Sequence, residues 1–156
     1  PTGYFYDIAH VFWPMIKTRS VQLLKVPQEP RANVIDTKDF AGFILKTMCD
    51  ENKTYNVGGK ETYTYREIAE MFYNADGVTN GPVKTVPAFM MDVLARLPKI
   101  KKSGRTDVIK FSKFTLTNDC YGDTEVEGQS FKAYIAGKSY AATIEAEMKE
   151  KEKAGK

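Results

Sequence analysis

The chain has little cysteine, a single histidine and no long apolar run, and each shortage narrows what it can be. Two cysteines, Cys49 and Cys120, are too few for a disulfide framework, and their separation fits no metal-ligand spacing. A reduced, cytoplasmic setting without a bound metal is the expectation. No hydrophobic stretch approaches the roughly 20 residues needed to cross a bilayer, so no membrane association is expected. Residues 1–13 include Asp7 and His10 and lack the basic leader of a signal peptide. Excess charge of one sign is also small: the net charge is +3, and the aromatics do not interleave with a basic stripe. Nucleic acid is therefore not an expected partner. No internal repeat and no low-complexity block is present.

What remains is a globular composition, 42% hydrophobic and 28% charged, in 156 residues. That length suffices for one domain with a real core and is short for two. Periodicity predicts an α/β order of helices and short strands. Residues 4–18 read as an amphipathic helix, with Pro14 a kink or a new turn. Residues 21–26 and 32–35 read as strands separated by Pro27 and Pro30, forming a hairpin or a sheet edge. Asp36 fits a helix cap for residues 37–48, with Asp39 three residues later. Residues 53–57 read as a strand that Gly58-Gly59 turns, and Thr64-Tyr65-Arg66-Glu67 is a capping box opening a helix to about residue 73. A strand at 83–86 precedes a helix at 88–97 that should bury Phe89, Met90, Val93, Leu94 and Leu97 and end at Pro98. Residues 99–107 read as a basic loop, and 108–118 as a helix with a short strand at 115–117. Ser130 should cap a last helix to about Met148, with the charged tail at 145–156 fraying.

Several segments in register carry a family resemblance. Pro1-Thr2-Gly3-Tyr4-Phe5, Val34-Ile35-Asp36 leading to Asp39-Phe40-Ala41, Tyr55-Asn56-Val57-Gly58-Gly59, and Thr64-Tyr65-Arg66-Glu67-Ile68-Ala69 resemble the C-terminal half of extended or atypical short-chain dehydrogenases. The Val86-Pro87 segment and Gly128-Gln129-Ser130-Phe131-Lys132-Ala133-Tyr134-Ile135 are similar to divinyl chlorophyllide reductase-like members. The resemblance implies an α/β fragment: the C-terminal, substrate-binding portion of a Rossmann-type enzyme, without its N-terminal dinucleotide-binding sheet. It further implies NAD or NADP as the cofactor of the full-length protein, hydride transfer by a reductase or epimerase, and a small-molecule substrate. The isolated chain is not expected to bind cofactor or to be catalytic. A noncatalytic NADP sensor or assembly module of the same superfamily is the alternative.

Two elements that such chemistry needs can be sought in the residues. A glycine-rich turn lets backbone amides and a helix N-terminus approach a pyrophosphate. None of the eleven glycines has that spacing, and Gly58-Gly59 is a strand-ending turn on this reading. The second element is a Tyr-x-x-x-Lys pair, in which lysine lowers a tyrosine's pKa for proton transfer. Tyr134 and Lys138 match it. With nine tyrosines and a lysine-rich chain such a match arises by chance, and in the family the pair precedes the Pro-Thr-Gly segment. No catalytic residue is therefore assigned.

The candidate site residues follow from the resemblance. Pro1, Thr2, Gly3 and Tyr4 correspond to the segment beside the nicotinamide. Phe5 and Trp13 are candidates for lining a substrate pocket with Tyr6 and Phe12. Arg31 lies near where related epimerases place a phosphate-binding arginine. His10, one helical turn from Asp7, is a weaker proton-transfer candidate. Asp36, Asp39 and Glu67 are read as helix caps. Lys99, Lys101, Lys102 and Arg105 are read as solvated. The aromatic density of residues 5–15 leads to the expectation of an exposed apolar face and self-association.

Overall fold

The computed structural model describes residues 5–136. The candidate cofactor residues Pro1, Thr2, Gly3 and Tyr4, together with Lys138, the last helix beyond Ala136 and the charged tail, lie outside the described residues.

Phe5 forms a parallel bridge with Ile35, and the Tyr6 amide donates to the Ile35 carbonyl at 3.1 Å. A 3-10 turn at Tyr6–Ile8 then leads into helix α1, Ala9–Lys17, which contains Pro14. Its apolar face buries Ala9, Phe12, Trp13 and Ile16. Arg19 adopts φ 52°, and the Ser20 amide reaches back to the Met15 carbonyl at 2.9 Å, closing the helix with a left-handed cap. The partner helix α3, Tyr65–Ala75, opens on the expected capping box. Thr64 Oγ1 accepts from the Glu67 amide at 3.2 Å, and the Glu67 carboxylate accepts from the Thr64 amide at 2.7 Å. Tyr65, Ile68, Ala69, Phe72 and Tyr73 recur at helical spacing and are all buried.

Phe72 organises the core. Phe12 stacks on it at 5.5 Å, Trp13 meets it edge-on at 4.8 Å, and Phe131 of helix α7, Phe131–Ala136, approaches at 6.0 Å. Burying each such ring contributes on the order of 2 kcal/mol, so these contacts lock α1, α3 and α7 together. The aromatics of residues 6–13 are thus packed inside the domain. The exposed aromatic face expected on this helix is not observed, because α3 and α7 cover these rings, while Val11 remains 53% exposed.

Among the described residues the strands form three two-stranded pairs. Strand β1, Val21–Lys25, pairs in parallel with β5, Val83–Pro87; β2, Arg31–Ala32, pairs antiparallel with β4, Tyr63–Thr64; and β3, Val57–Gly59, pairs in parallel with β6, Thr124–Val126. The architecture is mixed α/β. Of the two readings for 21–26 and 32–35, the hairpin does not form and the sheet edge does, since β1 and β2 each pair with one strand far along the chain.

Gly58 and Gly59 lie within β3 and do not form a turn. A Cβ on Gly58 would sit 2.1 Å from the Asn33 amide, and one on Gly59 would sit 1.9 Å from the Val34 carbonyl oxygen. These glycines permit a close backbone crossing. Asn33 itself is buried. Its Nδ2 donates to the Gly122 carbonyl and its Oδ1 accepts from the Gly122 amide, both at 2.9 Å. One side chain thereby imitates a strand neighbour and pins the loop before β6.

Helix α2, Thr37–Thr47, is capped by Asp36, whose carboxylate accepts from the Lys38 amide at 2.7 Å. Helix α4 spans Phe89–Arg96, α5 spans Pro98–Lys102 and α6 spans Thr106–Thr115. Pro98 begins a helix where the sequence suggested only an end, because a first-turn position needs no amide donor. The expected strand at 115–117 is the end of α6 and the turn after it. The expected burial on α4 fails: Ala95 is its buried residue, while Phe89 is 64% and Val93 55% exposed. Helices α4 and α6 pack on each other, tied by Lys113 Nζ to Asp92 Oδ2 at 2.6 Å, and the α4 apolar arc faces outward.

Candidate functional site

A strongly apolar concavity among the described residues is a groove of about 280 Å³. Ile8, Val11 and Phe12 from the first helical segment form one wall; Val108, Phe111, Ser112 and Leu116 form the other, with Tyr65 between them. It exists because α6 stands off from α1 while α3 closes the floor. Its size approaches that of small-molecule sites, and its lining is mainly apolar, with Ser112 as a polar residue and the Tyr65 hydroxyl buried away from the surface. A second cavity, beside Leu23, Leu24, Tyr65 and Leu116, measures about 20 Å³, room for about one water. A polar groove of about 350 Å³ between α2 and β6 is lined by Lys38, Asp39, Lys46, Glu125 and Glu127 among others.

Of the residues singled out in the sequence, Phe12 lines the apolar groove. Phe5 sits at the strand bridge with its ring 5.6 Å from Phe40, on the α2 side. Trp13 is 2% exposed and edge-on to Phe72, so it is core and not a pocket mouth. The amphipathic pattern placed it on the apolar side of the helix and could not say what that side met. Arg31 is engaged by the loop that follows α6. Its amide donates to Asp119 Oδ1 at 2.8 Å, its guanidinium lies 3.5 Å from Asp119 Oδ2, and it also covers the Tyr121 ring at 5.2 Å. A guanidinium so occupied is a strand-end clasp and no longer a free phosphate fork. His10 is exposed on α1.

A polar cluster that sequence reasoning missed lies near the start of α7. Glu61 accepts from the hydroxyls of Tyr63 and Ser130, the latter at 2.8 Å. Tyr6 donates its hydroxyl proton to the Gln129 carbonyl, and the Gln129 amide donates to Asp39 Oδ2 at 3.2 Å. Asp39 thus fastens a distant segment in addition to standing in the first turn of α2, and Ser130 spends its hydroxyl on Glu61. Tyr134 rests on the Tyr6 ring at 4.6 Å. Three of these groups are 69 to 123 residues from their partners, and no local pattern could have paired them.

The cluster's electrostatics argue against proton transfer by its tyrosines. Burial, reinforced by the charges of Asp36, Asp39 and Glu61, pushes the Tyr6 hydroxyl far above its usual value. Burial and the hydrogen bond to Glu61 do the same for Tyr63. Glu61 is held below the ordinary carboxylate value by the Tyr63 hydrogen bond first; desolvation opposes this, while Ser130, Lys60 and Lys132 support it. Both tyrosines stay neutral and Glu61 stays ionised at physiological pH, which makes the cluster a fastening. Cys120 is buried, and desolvation followed by the Asp119 charge raises its thiol pKa; Cys49 is exposed.

Neither protein-family models nor curated protein sequences give a match to this chain. Among the described residues no helix is long and apolar enough to cross a membrane. The molecule is therefore defined by its own geometry: a mixed α/β unit carrying an apolar groove between its first helix and α6.

Proposed function

We propose that this chain is the substrate-binding, lid-forming part of an NAD(P)-dependent reductase or sugar-nucleotide-type epimerase, with NAD or NADP held by an upstream dinucleotide-binding sheet. The supporting observation is the apolar groove of about 280 Å³, whose first wall, Ile8, Val11 and Phe12, follows in sequence on the Pro1-Thr2-Gly3-Tyr4 segment that resembles the segment beside the nicotinamide in the family. On this reading the groove takes an apolar part of a small-molecule substrate and excludes water from it. Phe5 and Arg31 then act as framework, through the Ile35 bridge and the Asp119 clasp, and the cofactor contacts fall to Pro1, Thr2, Gly3 and Tyr4.

A noncatalytic NADP sensor or assembly module is the second reading. The lining of the groove favours it, since it is mainly apolar and, among the described residues, neither carboxylate nor imidazole lines it. Titration with NADPH, followed by nicotinamide fluorescence, tests the first reading. The 156-residue chain should give no saturable signal, and the same chain joined to the domain encoded upstream should give one. Saturable binding to the short chain overturns the assignment. Turnover with the joined protein selects the enzyme, and binding without turnover selects the sensor.

A further inference from the structure

Residues 88–116 hold seven basic and two acidic side chains, a net charge of +5 in a chain whose total is +3, so the remainder is net negative. Both acids are already answered within the segment: Asp92 meets Lys113 at 2.6 Å and Asp107 meets Lys110 at 3.6 Å. Arg96, Lys99, Lys101, Lys102 and Arg105 are exposed and make no ion pair among the described residues. Beside them α4 presents Phe89, Met90, Val93, Leu94 and Leu97, between 38% and 64% exposed. Their spacing places all five on one side of the helix, while Ala95 is buried and Asp92 is held to α6. Phe114 of α6 is 59% exposed as well.

Charge decides among the occupants of such a face. A second copy would bring another net +5 against the first, and a two-fold contact would oppose like charges across its axis. An acidic protein surface would answer the lysines and leave the aliphatic and aromatic arc against a polar partner. An anionic bilayer surface answers both features, with phosphates for the cations and the headgroup–acyl boundary for Phe89, Val93 and Leu97. Lysine stems flanking such an arc cover apolar surface while their ammonium groups reach the phosphates. We propose that the α4–α5–α6 segment docks the protein on an anionic lipid surface. The α4 arc lies in the interface and Lys99, Lys101, Lys102 and Arg105 rest on lipid phosphates. The elements involved are 5 to 10 residues long, so the mode is lying on the membrane and not spanning it. The docking stands apart from the cofactor reading, because the α4 arc and the basic residues it uses do not line the groove and it does not use the Pro1–Tyr4 segment.

Co-flotation of the purified protein with vesicles tests it, comparing phosphatidylcholine alone with phosphatidylcholine containing phosphatidylserine. Binding should require the anionic lipid and weaken steeply as salt rises through the physiological range. The triple variant Lys99→Gln, Lys101→Gln, Lys102→Gln should lower the partition coefficient by roughly a hundredfold, with an unchanged melting temperature. The double variant Val93→Ser, Leu97→Ser should lose about tenfold or more, including the part that persists at high salt. Equal binding to both vesicle types, or none to anionic vesicles at low salt, overturns the proposal. So does a dimer that the serine variants dissolve and that anionic vesicles do not compete away.

Discussion

Asn33 shows how one residue holds two strand pairs in register. Its amide answers both polar groups of the Gly122 backbone, and Gly58 leaves the room it needs. Asn33→Ala should destabilise by about 2–3 kcal/mol, from the unanswered loop groups and a small void, as read from the urea midpoint. Gly58→Ala should cost about 1–3 kcal/mol in the native background, because its Cβ strikes the Asn33 amide. In the Asn33→Ala background that cost should largely vanish. A double-mutant cycle in which the two losses simply add would refute the coupling. Glu61 gives a pH-dependent counterpart. Its carboxyl is depressed below the usual 4.5, so the stability it contributes is present above that value and is lost as pH falls through the lower folded value. Glu61→Gln should cost about 1 kcal/mol at neutral pH, discounted for its exposure, and the gap between variant and native melting curves should close in that acid window. Tyr6 runs the other way. Its raised value means that the stability it contributes is complete below the ordinary 10.0 and is lost as pH rises above it, a loss that Tyr6→Phe should remove from the alkaline melting profile.

At the scale of elements, the capping box of α3 was legible because its four residues are contiguous and its chemistry is local. Thr64→Ala should lower stability by about 1 kcal/mol and Thr64→Ser should be close to neutral, measured by denaturant unfolding. Strand β5 was legible too, and Asp36 capped as expected, for the same local reason. Strand β6 was not. Its three residues, Thr124–Val126, have no alternation of their own and become a strand through β3. Helix α4 was found at nearly its observed bounds, but its apolar arc was assigned to the core. A periodic stripe states that one side of a helix is apolar, and it does not state what that side faces. The same distinction undid the expectation for α1, whose aromatics were read as an exposed face and are covered by Phe72 and Phe131.

For the whole molecule, the sequence by itself determined the alternation of helices and short strands, the caps that start α2 and α3, and the absence of a bilayer-length apolar run. Each of these depends on neighbours within a turn or two of the chain, where propensity, hydrogen-bonding side chains and periodicity act directly. Tertiary structure alone decided which strands pair, since β1 joins β5 and β3 joins β6 across 62 to 67 residues. It also decided that Trp13 is core, that Arg31 is clasped by Asp119, and that Glu61, Ser130, Tyr6 and Gln129 form one fastening. The apolar groove between α1 and α6 belongs to the same class. Its walls are separated by about a hundred residues, and the gap between them is a property of how α3 sets their distance. The physical reason is that a residue's type fixes what it can bond or bury, whereas the partner that meets it is fixed by loop closure and by packing summed over the whole core.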